Sequence, residues 1–354
     1  MSEKPSDAEG GGGSGEGIGS VELPGGVNDS LSLGSMLGPV LTQACGDKLG
    51  PIEWFRSTWQ RSGAATGFST WHEPGMSPFD VMVKFPVGPR EYAWTRSLGR
   101  VDPDQWSTER ALALPTPRLV ACGDTLGGYD LAWVVIERFR GHPVSSDLSE
   151  ASMGALVETL ADFHLEARSM GKPGPAPKPP DWVHMVERAR AMVPECGIAE
   201  PQRWSGVLKR VSKVLPGLVE AWKRRPIAHW CHGDAHPGNA MFRELSGGGS
   251  RCVLIDLGLV HAGHWVEDAV YIERLFWGHE DKLYGIDPVE TLRRAREARG
   301  LAIGNGVGDL ADLRRALMAA CVPVFLAREG HPRYVSAALE KLDRLLPGLE
   351  RQYG

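Results

Sequence analysis

Short stretches rich in aromatic and β-branched residues occupy the chain from about 52 to 139, and from about 150 onward apolar residues recur at helical spacing. The stretches IEWFRSTWQ (52–60), ATGFSTWHE (65–73) and FDVMVKFPV (79–87) are rich in aromatic and β-branched residues. RSGA (61–64) separates the first two and PGMSP (74–78) the last two, so the pattern predicts strand, small-residue loop, strand, turn, strand. PREYAWTRSL (89–98) predicts a helix, and RLVACGD (118–124) and LAWVVIERF (131–139) two further strands. Ahead of them, Asn28-Asp29-Ser30 supplies caps for a helix running to about Leu49.

The texture changes after Gly141. In 151–170 the apolar residues Met153, Leu156, Val157, Leu160, Phe163 and Ala167 form a helical stripe. A proline-rich loop (172–182) follows, then helical patterns at 182–193 and 203–224. AMFRE and RCVLIDLGL, joined by LSGGGS, predict a hairpin, and from about 266 onward the pattern is amphipathic helix. Strands in one block and helices in another, without βαβ alternation, predict an α+β fold.

Composition narrows the class. The 354 residues are 42% hydrophobic and 23% charged, with a net charge of −5, which suits a soluble enzyme of small molecules better than a nucleic-acid binder. Residues 1–28 are Gly/Ser-rich (EGGGGSGEGIGS) and bury too little apolar surface to order, so a disordered tail is expected there. The six cysteines show no CxxC spacing, and there is no apolar run of membrane length and no charged-then-apolar leader. A cytoplasmic protein with no membrane or nucleic-acid partner is the expectation.

The chemistry concentrates in WCHGDAHPGN (230–239). As an extended strand, it would point His232, Asp234 and His236 the same way, a possible zinc set for a metal-dependent hydrolase. Pro237-Gly238 ends such a strand at once, and no HExxH accompanies it. The other reading is phosphoryl transfer, which needs a base, oxygen ligands for magnesium and a cation on the phosphates. Asp234 supplies a base, and Asn239 follows at the D-x-x-x-x-N interval. Asp256 ends an apolar strand after the hairpin and suits a magnesium ligand. Lys84 lies in an otherwise apolar strand, where a lysine is costly unless its head has a use, and Glu91 on the next helix can pair with it. The loop Arg61–Thr66, with Ser62 and Gly63, is placed to cover phosphates. A non-catalytic nucleotide-binding module on the same residues is a third reading.

HGDAHPGN followed by IDLG, with Lys84, Glu91, WVVIERFRG and LADFH in order before it, resembles the aminoglycoside phosphotransferase and choline kinase superfamily. The resemblance spans roughly 50–280. It implies a bilobal protein-kinase-like fold, with an N-lobe over 29–140, a C-lobe over 141–354 and ATP between them. It implies Asp234 as base, Asn239 and Asp256 on Mg2+, Lys84 on the phosphates, and backbone groups of Glu137 and Phe139 on the adenine. The acceptor it implies is a hydroxyl of an aminoglycoside, amino alcohol, sugar or similar small molecule. The chain lacks the G-x-G-x-x-G and Asp-Phe-Gly of protein kinases, departures that the resembled superfamily tolerates, and no A-P-E or long activation segment follows Asp256, which argues against a protein substrate. Acceptor identity, ATP against GTP and oligomeric state stay open at this level.

Other polar residues carry structural expectations. His232 is expected to brace the loop, His164 to be a satisfied core histidine, and Asp268 to bond the loop backbone. His236 is assigned no chemistry. Glu267 and Glu273 are placed either at the acceptor pocket or on solvated surface. The tryptophans between 182 and 277 are expected in the core, with Trp265 and Trp277 as alternatives for an acceptor wall. GNGVG (304–308) follows no clear strand and is read as a loop.

Overall fold

The computed structural model describes residues 29–55, 63–245, 247–326 and 330–354. The tail 1–28, Ser62 and the second half of the first expected strand, 56–60, lie outside them.

Helix α1 (Asp29–Ala44) ends five residues before the expected Leu49, because Gly46 and Asp47 both take left-handed backbone. Five strands follow: β1 (Glu53–Phe55), β2 (Ala65–Trp71) and β3 (Phe79–Phe85), then, after α2 (Pro89–Leu98) and the short α3 (Glu109–Ala113), β4 (Leu119–Gly123) and β5 (Trp133–Glu137). They pair antiparallel in the order β1-β2-β3-β5-β4. Alternation along β3 sends Val81, Val83 and Phe85 into a core shared with Leu41 of α1, Trp71 and Val135. Lys84 therefore points to the other face, with Thr66 and Val134 opposite it on the flanking strands.

The second half is helical: α4 (Glu150–Glu166), α5 (Trp182–Met192), α6 (Pro201–Lys223), α7 (Val266–Leu275), α8 (Pro288–Ala298), α9 (Val307–Ala320) and α10 (Pro332–Tyr353). Ser149 caps α4 in a reciprocal bond with Ser152. One continuous core runs through these helices around the fully buried Trp204, Trp222, Trp265 and Trp277. Two short sheets are embedded in it. β7 (Ala240–Glu244) and β8 (Ser250–Leu254) form the expected hairpin. β6 (His229–Cys231) pairs with β9 (His261–Gly263), a sheet the sequence pattern did not predict. The extended segment at the histidine-rich stretch thus stops at Cys231, short of the 230–238 strand that a zinc site would need. The whole is an α+β, bilobal fold, a β-rich N-lobe followed by a mostly helical C-lobe.

Candidate active site

The segment 232–239 bridges β6 and β7 and is held from below by one carboxylate. Asp268, fully buried in the first turn of α7, accepts the amide hydrogens of His232 (2.9 Å) and Gly233 (2.8 Å). The same carboxylate accepts from Nε2 of His164 at 2.9 Å, and Nη1 of the buried Arg296 donates to Nδ1 of that ring at 2.9 Å. This fixes His164 as the neutral, Nε2-protonated tautomer, and burial holds its pKa down. Burial works against the ionised Asp268, but the His164 hydrogen bond, nearby imidazoles and the Gly233 amide outweigh it and lower its pKa. Nδ1 of His232 accepts from the Asp234 amide at 3.3 Å, and the ring packs edge-on against Phe163. His232 braces the loop as expected. Gly233 sits at φ +81°, and a Cβ there would stand 2.3 Å from the Leu259 carbonyl oxygen, so only glycine lets the loop touch the turn after β8.

The two oxygens of Asp234 have different partners. Oδ2 accepts from Asn239 Nδ2 at 2.9 Å, and that nitrogen also reaches the Asp234 carbonyl at 3.1 Å. Oδ1 accepts from the Tyr271 hydroxyl at 2.5 Å, while Nε2 of His236 lies 3.8 Å away. With its nitrogen spent on Asp234, the Asn239 amide keeps its oxygen for another partner. The Asn239 carbonyl accepts the Ile255 amide hydrogen at 2.9 Å, which ties the loop to the end of β8. The next residue, Asp256, has left-handed backbone (φ 64°) and an exposed side chain whose Oδ1 accepts from the Gly258 amide at 3.3 Å. A non-glycine residue in that region is strained and needs support from its surroundings.

From the N-lobe, Lys84 Nζ meets Glu91 Oε1 of α2 at 2.6 Å, with both side chains mostly buried. Burial works against the ammonium, but the charges of Glu91 and then Asp256 outweigh it and raise its pKa, so Lys84 is cationic at neutral pH. Helix α2 packs on the turn Leu257–Leu259 that follows Asp256. The structure thus links these residues: Lys84 pairs with Glu91 and feels the charge of Asp256, while Asn239 ties Asp234 to the strand end just before Asp256.

The model of the phosphotransferase enzyme family matches residues 90–321. The chain belongs to this family. Among solved structures, a protein of Ralstonia eutropha JMP134 provisionally assigned as an aminoglycoside phosphotransferase is similar, with 15% identity and a TM-score of 0.50, over 89% of this chain and 98% of that one. An aminoglycoside phosphotransferase of Alicyclobacillus acidocaldarius is 15% identical with a TM-score of 0.49, over 88% and 96% of the two chains. At such identity the first likeness speaks for the fold, the kinase-like one expected above. No match was found among curated proteins.

This phosphotransferase treats several of the expected site residues differently. The Glu137 amide donates to the Arg118 carbonyl at 2.9 Å, and its buried carboxylate accepts from Arg118 and from Arg243 of the hairpin. That amide is therefore committed within the N-lobe. Phe139, just beyond β5, is half-buried. Gly63 is exposed at the edge of the described loop, and Ser62 lies outside it. The zinc set does not assemble: His232 turns into the core, and His236 Nδ1 accepts from the Gly238 amide at 3.0 Å. Among the described residues, the one His/Cys/Asp/Glu trio close enough to share an ion is Cys231, His261 and Glu267. Its glutamate already accepts from Arg225 at 2.8 Å and from the His264 amide at 2.9 Å.

Neither Glu267 nor Glu273 faces solvent or an acceptor. Both are buried, Glu267 with Arg225 and Glu273 with Arg315 and Lys341. Trp265 and Trp277 are fully buried core, donating to the Ile303 carbonyl and to Glu273, so they form no acceptor wall. GNGVG is a loop up to Gly306, after which α9 starts. Sequence reasoning missed Tyr271, Arg296 and Arg243. Tyr271 had a readable signal: it follows Asp268 by three residues on α7, which puts both on one helix face. Arg296 and Arg243 had none.

Proposed function

We propose that this phosphotransferase moves the γ-phosphoryl group of ATP to a hydroxyl of a small molecule, with Asp234 as the base. The observation that carries the reading is the division of labour in the Asp234–Asn239 pair. Asn239 holds one oxygen of Asp234 with its nitrogen and keeps its own oxygen for another partner, while the other carboxylate oxygen, which accepts from Tyr271, is the one not tied to the loop.

The donor set fits magnesium. The Asn239 amide oxygen and the Asp256 carboxylate are hard oxygen ligands of the kind that ion takes. When bound, the ion would offset negative charge on the phosphates. The chain's own residues do the rest. Asp234 orients the acceptor hydroxyl and takes its proton. Lys84, held by Glu91, fixes the phosphates from the N-lobe side. The loop containing Ser62 and Gly63 covers them, and the Glu137 carbonyl with the Phe139 backbone receives the adenine. Aminoglycosides, amino alcohols and sugars are the acceptor classes we propose; the similar Ralstonia eutropha protein is provisionally assigned as an aminoglycoside phosphotransferase. Among the described residues no helix is long and apolar enough to cross a membrane.

The test is ADP release from Mg-ATP over a panel of aminoglycosides, amino alcohols, sugars and hydroxy amino acids. Asp234→Ala is expected to lose about 10²- to 10⁴-fold in turnover, the usual share of a general base, and Asp256→Ala to lose transfer while keeping the fold. Phosphotransfer by Asp234→Ala at the wild-type rate would overturn the assignment.

A further inference from the structure

The phenol of Tyr271 sits on the oxygen of Asp234 that the acceptor needs. Oδ2 is taken by Asn239, so Oδ1 is the oxygen left for chemistry, and the Tyr271 hydroxyl donates to it at 2.5 Å. A base and the hydroxyl it deprotonates stand about 2.6–3.2 Å apart, so the phenol fills the shell in which an acceptor oxygen must lie. The other neighbour on that side, His236 Nε2, is too distant at 3.8 Å to compete. The Tyr271 ring is half-buried and borders the loop, its centroid 6.5 Å from the His236 ring, with the Arg274 guanidinium 6.0 Å from it.

We propose that Tyr271 is the acceptor's placeholder: its hydroxyl occupies the acceptor position on Asp234, and a substrate enters by displacing it. The inference rests on the phosphotransferase reading of the site. It also narrows the acceptor class. Exchanging one hydroxyl for another on the same carboxylate oxygen gains almost nothing by itself, so the acceptor must bring further binding groups. Polyhydroxylated and amine-bearing molecules do so; water and simple alcohols do not. Tyr271 therefore keeps water off the base. Without it, a water on Oδ1 would attack the γ-phosphorus, its oxygen bonding there as the bond to the bridging oxygen of ADP breaks and its proton passing to Asp234, giving ADP and inorganic phosphate. A tyrosine suits the task because its phenolic hydroxyl is a donor that the carboxylate oxygen can accept.

Tyr271→Phe removes the hydroxyl and little else. In Mg-ATP without acceptor, the variant should release phosphate about tenfold faster than wild type, the equivalent of losing one hydrogen bond to a charged group. Ethanol, expected to be inert with wild type, should become a weak acceptor. For an acceptor found in the panel, KM should fall while kcat stays within a few fold. Nucleotide binding, read by calorimetry, should be the same in both proteins. Three results overturn the inference. One is equal acceptor-free hydrolysis in the two proteins. Another is a fall in kcat at constant KM, which makes Tyr271 a fixed positioning donor. The third is wild-type protein that gains one phosphoryl group on Tyr271 in Mg-ATP, which makes the phenol itself the acceptor. If neither protein binds Mg-ATP, the phosphotransferase reading fails and takes this inference with it; if both bind it and hydrolyse alike, only the inference fails.

Discussion

Asp268 and His164, 104 residues apart in the chain, meet at 2.9 Å with no exposure to solvent, and the carboxylate of that pair carries the backbone of the candidate catalytic loop. Asp268→Ala would leave two loop amides and a histidine without their acceptor in the core. A buried neutral donor left unsatisfied costs about 1–3 kcal/mol, so with three donors orphaned a fall of at least about 3 kcal/mol in unfolding free energy is expected in urea titration. Asp268→Asn retains one accepting oxygen and should lose less stability, yet still lose turnover because one loop amide goes unpaired. Equal stability of wild type and Asp268→Ala would rule out the anchoring role.

Gly233 tests the contact between the loop and the turn after β8. Its left-handed backbone and the Leu259 carbonyl, 2.3 Å from where a Cβ would stand, leave no room for a side chain. Gly233→Ala must move the loop, and a displacement of about 1 Å at a reacting group costs on the order of 10²-fold in rate. The variant should remain folded by circular dichroism with turnover reduced by that factor. Turnover within twofold of wild type would mean the contact does not set the position of Asp234.

Arg243 ties the hairpin to the N-lobe. Its buried guanidinium donates to Glu137 and to the carbonyls of Leu112, Leu114 and Thr116, all but Leu112 in residues that are themselves buried. Arg243→Ala leaves those carbonyls unsatisfied and Glu137 with Arg118 alone. A loss of about 3–5 kcal/mol is expected, together with a raised KM for ATP, since the hairpin strands lead from Asn239 to Asp256. Thermal melts and ATP titrations report the two effects separately.

The histidines around Arg296 predict the acid limb of stability. Burial, then the Arg296 charge, pushes His229 down to about 3; burial likewise pushes His264 down to about 4, with Arg296 and Arg225 adding to it. In the unfolded chain both titrate near 6.5. Below that pH the unfolded state takes up protons that the folded state refuses, so stability present above pH 6.5 is lost as pH falls toward 4. Urea midpoints at pH 7, 5.5 and 4.5 should decline over that window, and His264→Gln should decline less steeply. Midpoints constant across the window would show that both rings titrate normally in the folded state.

Local pattern accounts for much of what the chain is. The stretches rich in aromatic and β-branched residues place β2 to β5 within two residues of their observed ends, and PREYAWTRSL coincides with α2. The D-x-x-x-x-N interval and the strand end at Asp256 were readable because the chemistry needs fixed short spacings. Lys84 stood out because a charge in an apolar strand asks for a partner, and Glu91 is that partner. Asp268 was readable as a loop anchor from the family resemblance of its helix start.

Tertiary structure alone decided the rest, for a physical reason: the deciding contacts join residues too far apart in sequence for any spacing to record. The Arg243–Glu137 pair spans 106 positions, and Arg296 and His164 are separated by 132. β6 and β9 could not be seen as strands because each has three residues and is defined only by the other. Glu267 and Glu273 read as surface or pocket residues until folding brought arginines to them. The sequence singled out Asp234 as the candidate base; the fold showed that Asn239 holds one of its oxygens and Tyr271 the other.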